Sequence, residues 1–125
     1  MKAIIAVNNL GFIGLNGGLP WPRCKEDFQL FREKTMDGSL LVGYRTMQTL
    51  PPLKGRTVHL DERDSFRKEI DWCIGGKKTY EKYSPYITEL HISHINDNTI
   101  GDTTFPDFSK LSPDCKIFNY YFDVK

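Results

Sequence analysis

The sequence has no long hydrophobic run, no internal repeat, no low-complexity stretch and no block of like charge. Its strongly apolar N-terminal run, Ala3 to Val7, is too short for a signal-peptide core or a membrane span. Seventeen Lys and Arg stand against sixteen Asp and Glu, a formal charge of +1, so the counterion-release footprint of a nucleic-acid binder is missing. Cys24, Cys73 and Cys115 are odd in number and far apart, with no CxxC or Cys/His spacing that would build a zinc site or a disulfide framework. These absences point to a soluble, cytoplasmic protein with free thiols and no metal. Its expected partner is a small molecule rather than nucleic acid or membrane. Nothing in the sequence demands a dimer, and a monomer is expected.

What is present fits one domain over residues 1–125, with 39% hydrophobic residues and enough chain to bury roughly two-thirds of its unfolded surface. KAIIAV (2–7) reads as a strand buried on both faces. A long loop follows from Asn8 to about Arg23, with glycines at 11, 14, 17 and 18 and prolines at 20 and 22. A helix is predicted over 24–36, stopped by Asp37-Gly38, and then a strand over 39–43. A short helix (44–50), strands at 56–60 and 71–75, a helix through GKKTYEKY, a strand at 89–95 and a last strand near 116–124 complete the series. Alternating strands and helices predict a three-layer α/β domain: a mostly parallel central sheet with helices on both faces. Ligands in such sheets sit at the carboxyl ends of the strands, here just after Val7, Val42 and Ile74.

The stretch LPWPRCKEDFQLF places two acids side by side at a helix start. At about 100° per residue, Asp27 falls inside the apolar arc of Phe28, Leu30 and Phe31, whereas Glu26 falls beside Glu33 on the side facing water. Glu26 reads as a solvated first-turn carboxylate. A carboxylate in an apolar arc costs several kcal/mol unless a partner binds it or its pKa rises. Asp27 is therefore either a hydrogen-bonded structural acid or one that faces a ligand.

Six segments taken in order resemble the dihydrofolate reductase family. IIAVNNLGFIGLNGGLPW (4–21) resembles its first strand and mobile loop, KEDFQLFREKT (25–35) its first helix, and LVGYRT (41–46) its xMGRxT segment. LKGR (53–56), IGGKKTY (74–80) and GDTTFP (101–106) complete the set. The family's longer form, with one extra residue between the tryptophan and the acid, matches WPRCKEDF and selects Asp27, as the helical wheel does.

The resemblance implies reduction of 7,8-dihydrofolate to 5,6,7,8-tetrahydrofolate by hydride transfer from NADPH to the pteridine, with protonation supported by Asp27. Trp21 would order a water near the pteridine. The backbone carbonyls of Ile5 and Ile74 would meet the pteridine, and Ser93 would lie near its amino group. Phe28, Phe31, Leu50 and Leu53 would form the benzoyl slot, and Arg56 would pair with the α-carboxylate. The resemblance also gives the cofactor residues: Val7, Ile13 and Leu19 bordering the nicotinamide, and Gly43, Arg45, Thr46, Gly75, Gly76, Lys77, Lys78, Thr79 and Tyr80 around the phosphates. It implies a cis Gly75-Gly76 bond, a loop brace at Asp102 and an antiparallel C-terminal strand.

The chain also departs from the family. Residues 61–73 are all that separate Leu60 from Ile74, where the family has an extra strand and helix; much of the adenosine side is missing. Tyr44 replaces the arginine of the family's xMGRxT, and Arg45, Arg63 and Lys78 are the candidates for meeting a 2′-phosphate. The segment after Pro106 is likewise short for the family's hairpin. The alternative readings are a non-catalytic or structural folate- or nucleotide-binding domain that keeps the fold, and a related pyrimidine or pterin reductase.

Overall fold

The computed structural model describes residues 1–62 and 69–124; Arg63 lies outside the described residues. Its elements are β1 (Lys2–Asn8), β2 (Phe12–Gly14), α1 (Lys25–Thr35), β3 (Ser39–Val42), α2 (Tyr44–Met47), β4 (Thr57–Leu60), β5 (Trp72–Cys73), α3 (Lys77–Tyr83), β6 (Glu89–Asn96), β7 (Thr103–Thr104) and β8 (Lys116–Asp123). Six strands form one sheet in the order β4-β3-β5-β1-β6-β8, and β2 pairs with β7 in a separate two-stranded ribbon. No helix among the described residues is long and apolar enough to cross a membrane.

The period-two alternation of the strands divides the core between the two faces of the sheet. Ile4, Leu40, Val42, Trp72 and Ile74 pack with Phe31 of α1 on one face. Ala3, Ile5, Val7 and Cys73 pack with Tyr80 of α3 on the other. The expected α/β layering holds. Leu40 and Leu41, both almost wholly enclosed, anchor the two sides, and truncating either to alanine would cost about 2–5 kcal/mol.

The direction of the last strand is a correction. β8 runs parallel to β6, from Glu89↔Lys116 to Asn96↔Asp123, where an antiparallel C-terminal strand was expected. The chain between them does not turn back tightly. It passes through β7 and then lays Phe105, Phe108 and Leu111 against the core on the α3 face. It thereby returns to the starting end of β6, where Lys116 N donates to Thr88 O at 3.0 Å. Among the described strands, β2 and β7 pair antiparallel.

Candidate functional site

The site begins where two strands part. β1 pairs with β5 only over Lys2↔Trp72 and Ala3↔Cys73, but with β6 along its whole length to Asn8. Beyond Cys73 the chain turns away through Ile74, Gly75 and Gly76, leaving a fork at the carboxyl ends of β1 and β5, where α/β sheets bind ligands. The Gly75-Gly76 bond is cis.

On the α1 side of this fork lies Asp27. Cys24 is the N-cap of α1, which carries acids in its first turn and Arg32 and Lys34 in its last, the distribution that suits its dipole. Glu26 is exposed, whereas Asp27 is half-buried. Burial pushes the Asp27 carboxyl above its ordinary range, and the nearby Ser93 hydroxyl pulls part of the way back. Among the described residues, neither the buried Ser93 Oγ nor the buried Trp21 Nε1 has a hydrogen-bond partner that satisfies ordinary geometry. Trp21 packs with Cys24 and Ile95, the latter two residues along the strand from Ser93 on the same face. A raised carboxyl and two unsatisfied polar atoms therefore share one side of the sheet. Buried polar atoms normally have partners, so this region is built to meet a polar ligand or water.

The apolar wall beside it is formed by Phe31, Leu50, Leu53 and Ile74, all in the cluster that contains Ile4. Phe28 is more exposed, at 41%, with the Arg23 guanidinium 5.3 Å from its ring centre. The structure places the Ile5 side chain on the opposite, α3 face, and it is Ile4 that faces the Phe31 wall. Sequence reasoning passed over Ile4, although strand alternation against the α1 face would have distinguished the two.

Arg56 closes the far end of the wall. Its guanidinium donates through Nε to Lys54 O at 3.1 Å and through Nη1 to Thr35 Oγ1 at 3.4 Å, and lies 5.9 Å from the Phe31 ring centre. Burial and the positive charge of Arg32 lower its pKa. Two guanidinium groups are thus close enough to repel, an arrangement suited to a carboxylate-bearing ligand. Arg32 was also missed by sequence reasoning; its position four residues after Phe28 on α1 was the available signal.

On the other side of the fork, Gly43, Thr46, Gly75, Gly76 and Thr79 come together. Gly43 N donates to Gly75 O at 2.7 Å, and a Cβ at Gly43 would lie 2.5 Å from Thr79 Oγ1. Only glycine fits that approach. Lys77 Nζ donates to Thr104 Oγ1 at 2.7 Å, and Arg45 and Lys78 are exposed. Tyr80 is different from its predicted neighbours: 4% exposed, it lies in the core and donates its hydroxyl to Ile4 O at 2.6 Å.

The loop 9–23 is tied to the segment before β7 and to the residues after α2. Asn16 N donates to Asp102 Oδ2 at 2.9 Å, Asp102 N to Gly14 O at 2.9 Å, and Thr49 Oγ1 to Gly17 O at 2.7 Å. Ile13 of this loop packs against the cluster that holds Val7, and Leu19 is 42% exposed.

Comparison with known proteins bears on the chain's family. The family model described as dihydrofolate reductase matches residues 1–65 and 59–114. The chain is 26% identical over 143 residues to a dihydrofolate reductase of Buchnera aphidicola subsp. Schizaphis graminum, covering 98% of this chain and 86% of that protein. It is 33% identical over 106 residues to a dihydrofolate reductase of Mycobacterium tuberculosis, covering 69% and 65%. A solved structure of dihydrofolate reductase from Enterococcus faecalis, complexed with NADP(H) and RAB-propyl, superposes with a TM-score of 0.74 at 25% identity, covering 86% of this chain and 77% of that one. With both the family match and the fold in agreement over most of its length, the chain belongs to the dihydrofolate reductase family.

Proposed function

We propose that the protein reduces 7,8-dihydrofolate to 5,6,7,8-tetrahydrofolate with NADPH as the cofactor. The observation that carries this reading is the half-buried Asp27, its pKa raised by burial, beside the unpartnered Ser93 Oγ and Trp21 Nε1 at the β1/β5 fork.

A bound NADPH supplies the hydride; the protein's own groups bind, orient and manage the proton. Asp27 presents a carboxyl that burial lets keep its proton to higher pH than an ordinary carboxyl and that can pair with the amidine edge of a pteridine. Ser93 and Trp21 supply an acceptor or donor and a donor, respectively, for the same ring system or a water beside it. Phe31, Leu50 and Leu53 form an apolar wall for the benzoyl group, and Arg56 with Arg32 receives the carboxylates beyond it. Gly43, Thr46, Gly75 and Gly76 give backbone access for the cofactor phosphates, and Lys78 adds positive charge. The loop held by Asp102 excludes water from the reacting atoms. The same reading takes the protein as a cytoplasmic monomer, testable by sedimentation equilibrium at one-chain mass.

The test is an assay of purified protein with dihydrofolate and NADPH, following loss of reduced-nicotinamide absorbance, with Asp27→Asn alongside. Turnover that disappears in the variant supports the reading. Tight folate binding without turnover by the unmodified protein would replace it with a binding domain.

A further inference from the structure

Within the 9–23 loop, Leu15 and Gly18 exchange two backbone hydrogen bonds, Leu15 N to Gly18 O at 2.9 Å and Gly18 N to Leu15 O at 3.0 Å. They close a tight turn on Asn16 and Gly17, whose φ values are both positive, 51° and 84°, the geometry that an Asn-Gly pair favours. Both residues are exposed. Nowhere else in the sequence does glycine follow asparagine.

The amide that follows the asparagine sets this position apart. Among the described residues, neither Gly17 N nor the Asn16 side chain has a hydrogen-bond partner. By contrast, Asn9 N, which follows Asn8, donates to Asp97 O at 3.0 Å, and Leu10 N, after Asn9, to Asn8 Oδ1 at 3.2 Å. Asp97 N, after Asn96, donates to Ile95 O at 2.9 Å, and Thr99 N, after Asn98, to Asp97 Oδ2 at 3.0 Å. Asn119 lies inside β8 and is followed by a bulky tyrosine. The Asp37-Gly38 pair also has positive φ at its acid, 64°, but there Gly38 N is engaged by Thr35 O at 3.0 Å. An engaged amide must first break its bond before it can attack a neighbouring carbonyl. Gly17 N has no such bond to break, and glycine places no Cβ in the way.

We propose that Asn16 is a self-modification site, at which Gly17 N displaces the side-chain amide and the carboxylate so formed unties the 9–23 loop from Asp102. Gly17 N gives up its proton and bonds to Asn16 Cγ; the Cγ–Nδ2 bond breaks, and Nδ2 leaves as ammonia with that proton. Water then adds to one carbonyl of the cyclic imide. Opening at Cγ leaves aspartate at position 16, and opening at the main-chain carbonyl leaves isoaspartate, with the chain running through the side-chain carbons. The net change is one amide and one water to one carboxylic acid and one ammonia. It stands whether or not the protein is a reductase. The consequence comes from Asp102, because Asn16 N donates to Asp102 Oδ2 at 2.9 Å. A second carboxylate then forms on the very residue whose amide holds the first. Arg45, whose charge also favours ionised Asp102, offsets part of that repulsion, and salt screens more of it. Isoaspartate is the more disruptive product, because its added main-chain atom also breaks the Leu15–Gly18 pairing.

The test ages the purified protein and Asn16→Gln in mildly alkaline buffer, maps amide-to-acid conversion by peptide mass spectrometry, and detects isoaspartate with an isoaspartyl methyltransferase. Conversion at Asn16 is expected to be at least several-fold faster than at any other asparagine, with isoaspartate among the products. The converted protein, separated by ion exchange, should show the Asp102 amide, which donates to Gly14 O, exchanging with solvent several-fold faster than before, while core amides of β1 and β6 keep their rates. Aged Asn16→Gln, checked by an unchanged melting curve, should keep its Asp102 protection. Conversion spread evenly over the asparagines would overturn the assignment of the site. Conversion at Asn16 with unchanged exchange at Asp102, or equal loss of protection in aged Asn16→Gln, would overturn its link to the loop.

Discussion

The Tyr80 hydroxyl donates to the Ile4 carbonyl at 2.6 Å across seventy-six positions of sequence, tying α3 to β1 at the root of the fork. The ring also borders Gly75: a Cβ there would lie 3.2 Å from Tyr80 Cε2. Burial drives the phenol pKa well up, so this proton stays on Tyr80. Tyr80→Phe keeps the ring and deletes the donor, leaving a main-chain acceptor in the core without this partner. It is expected to lower stability by about 1–2 kcal/mol, read as a lower urea midpoint with unchanged slope.

Asp27→Asn should abolish turnover while sparing the fold, a loss on the order of 10²- to 10⁴-fold for removal of an acid-base group. Its effect on stability has a definite sign. Because burial raises the folded-state pKa above the unfolded value, ionised Asp27 destabilises the native protein at any pH above that raised pKa. The penalty fades as the pH falls through the folded pKa and is gone below the unfolded one. Asparagine avoids it. Melting curves of the two proteins should therefore favour Asp27→Asn at neutral pH and converge in acid; a wild-type protein more stable at neutral pH would contradict the burial of this charge. Turnover of the unmodified protein should fall as pH rises through the raised pKa.

Asp27 was legible in the sequence because helical periodicity and the spacing from Trp21 agree on it. Gly43, Gly75 and Gly76 were legible because close main-chain approach demands glycine, whatever surrounds it. The direction of β8 was not: strand polarity depends on whether the preceding connection turns back or crosses the sheet. That outcome was decided by Phe105, Phe108 and Leu111 packing on the α3 face. Local patterning also could not separate Tyr80 from its neighbours on α3, because a tyrosine one turn into a helix reads alike whether it meets a ligand or a carbonyl of β1. Arg32 gained its significance only from Arg56, a residue distant in sequence that topology brings to it.

Arg56→Lys should separate binding of the substrate's carboxylates from the chemistry. The guanidinium is planar, oriented by Lys54 O and Thr35 Oγ1, and lies against the Phe31 ring. An ammonium keeps the charge but not the fork. KM for dihydrofolate is expected to rise about tenfold with little change in kcat, while a dihydropterin lacking the glutamate tail should show no change. An equal effect on both substrates would mean that Arg56 acts through the fold instead.

Asp102 provides the last test, because its carboxylate joins the 9–23 loop to the segment that leads into β7. It accepts from Asn16 N at 2.9 Å and from Thr103 Oγ1 at 2.9 Å, and these bonds hold its pKa below the ordinary carboxylate range, the Asn16 amide first among them. The loop tie is therefore fully present above that ordinary range and is lost as pH falls through the lowered folded value. Asp102→Ala removes it at every pH. Because the carboxylate is fully exposed, the effect belongs to local closure rather than to global stability. The Asn16 amide should exchange with solvent about tenfold or more faster in the variant, with core amides of β1 and β6 unaffected. Turnover should fall several-fold if closure excludes water from the reacting atoms. Unchanged exchange at Asn16 would mean that Gly14, Gly17 and Thr49 hold the loop without the carboxylate.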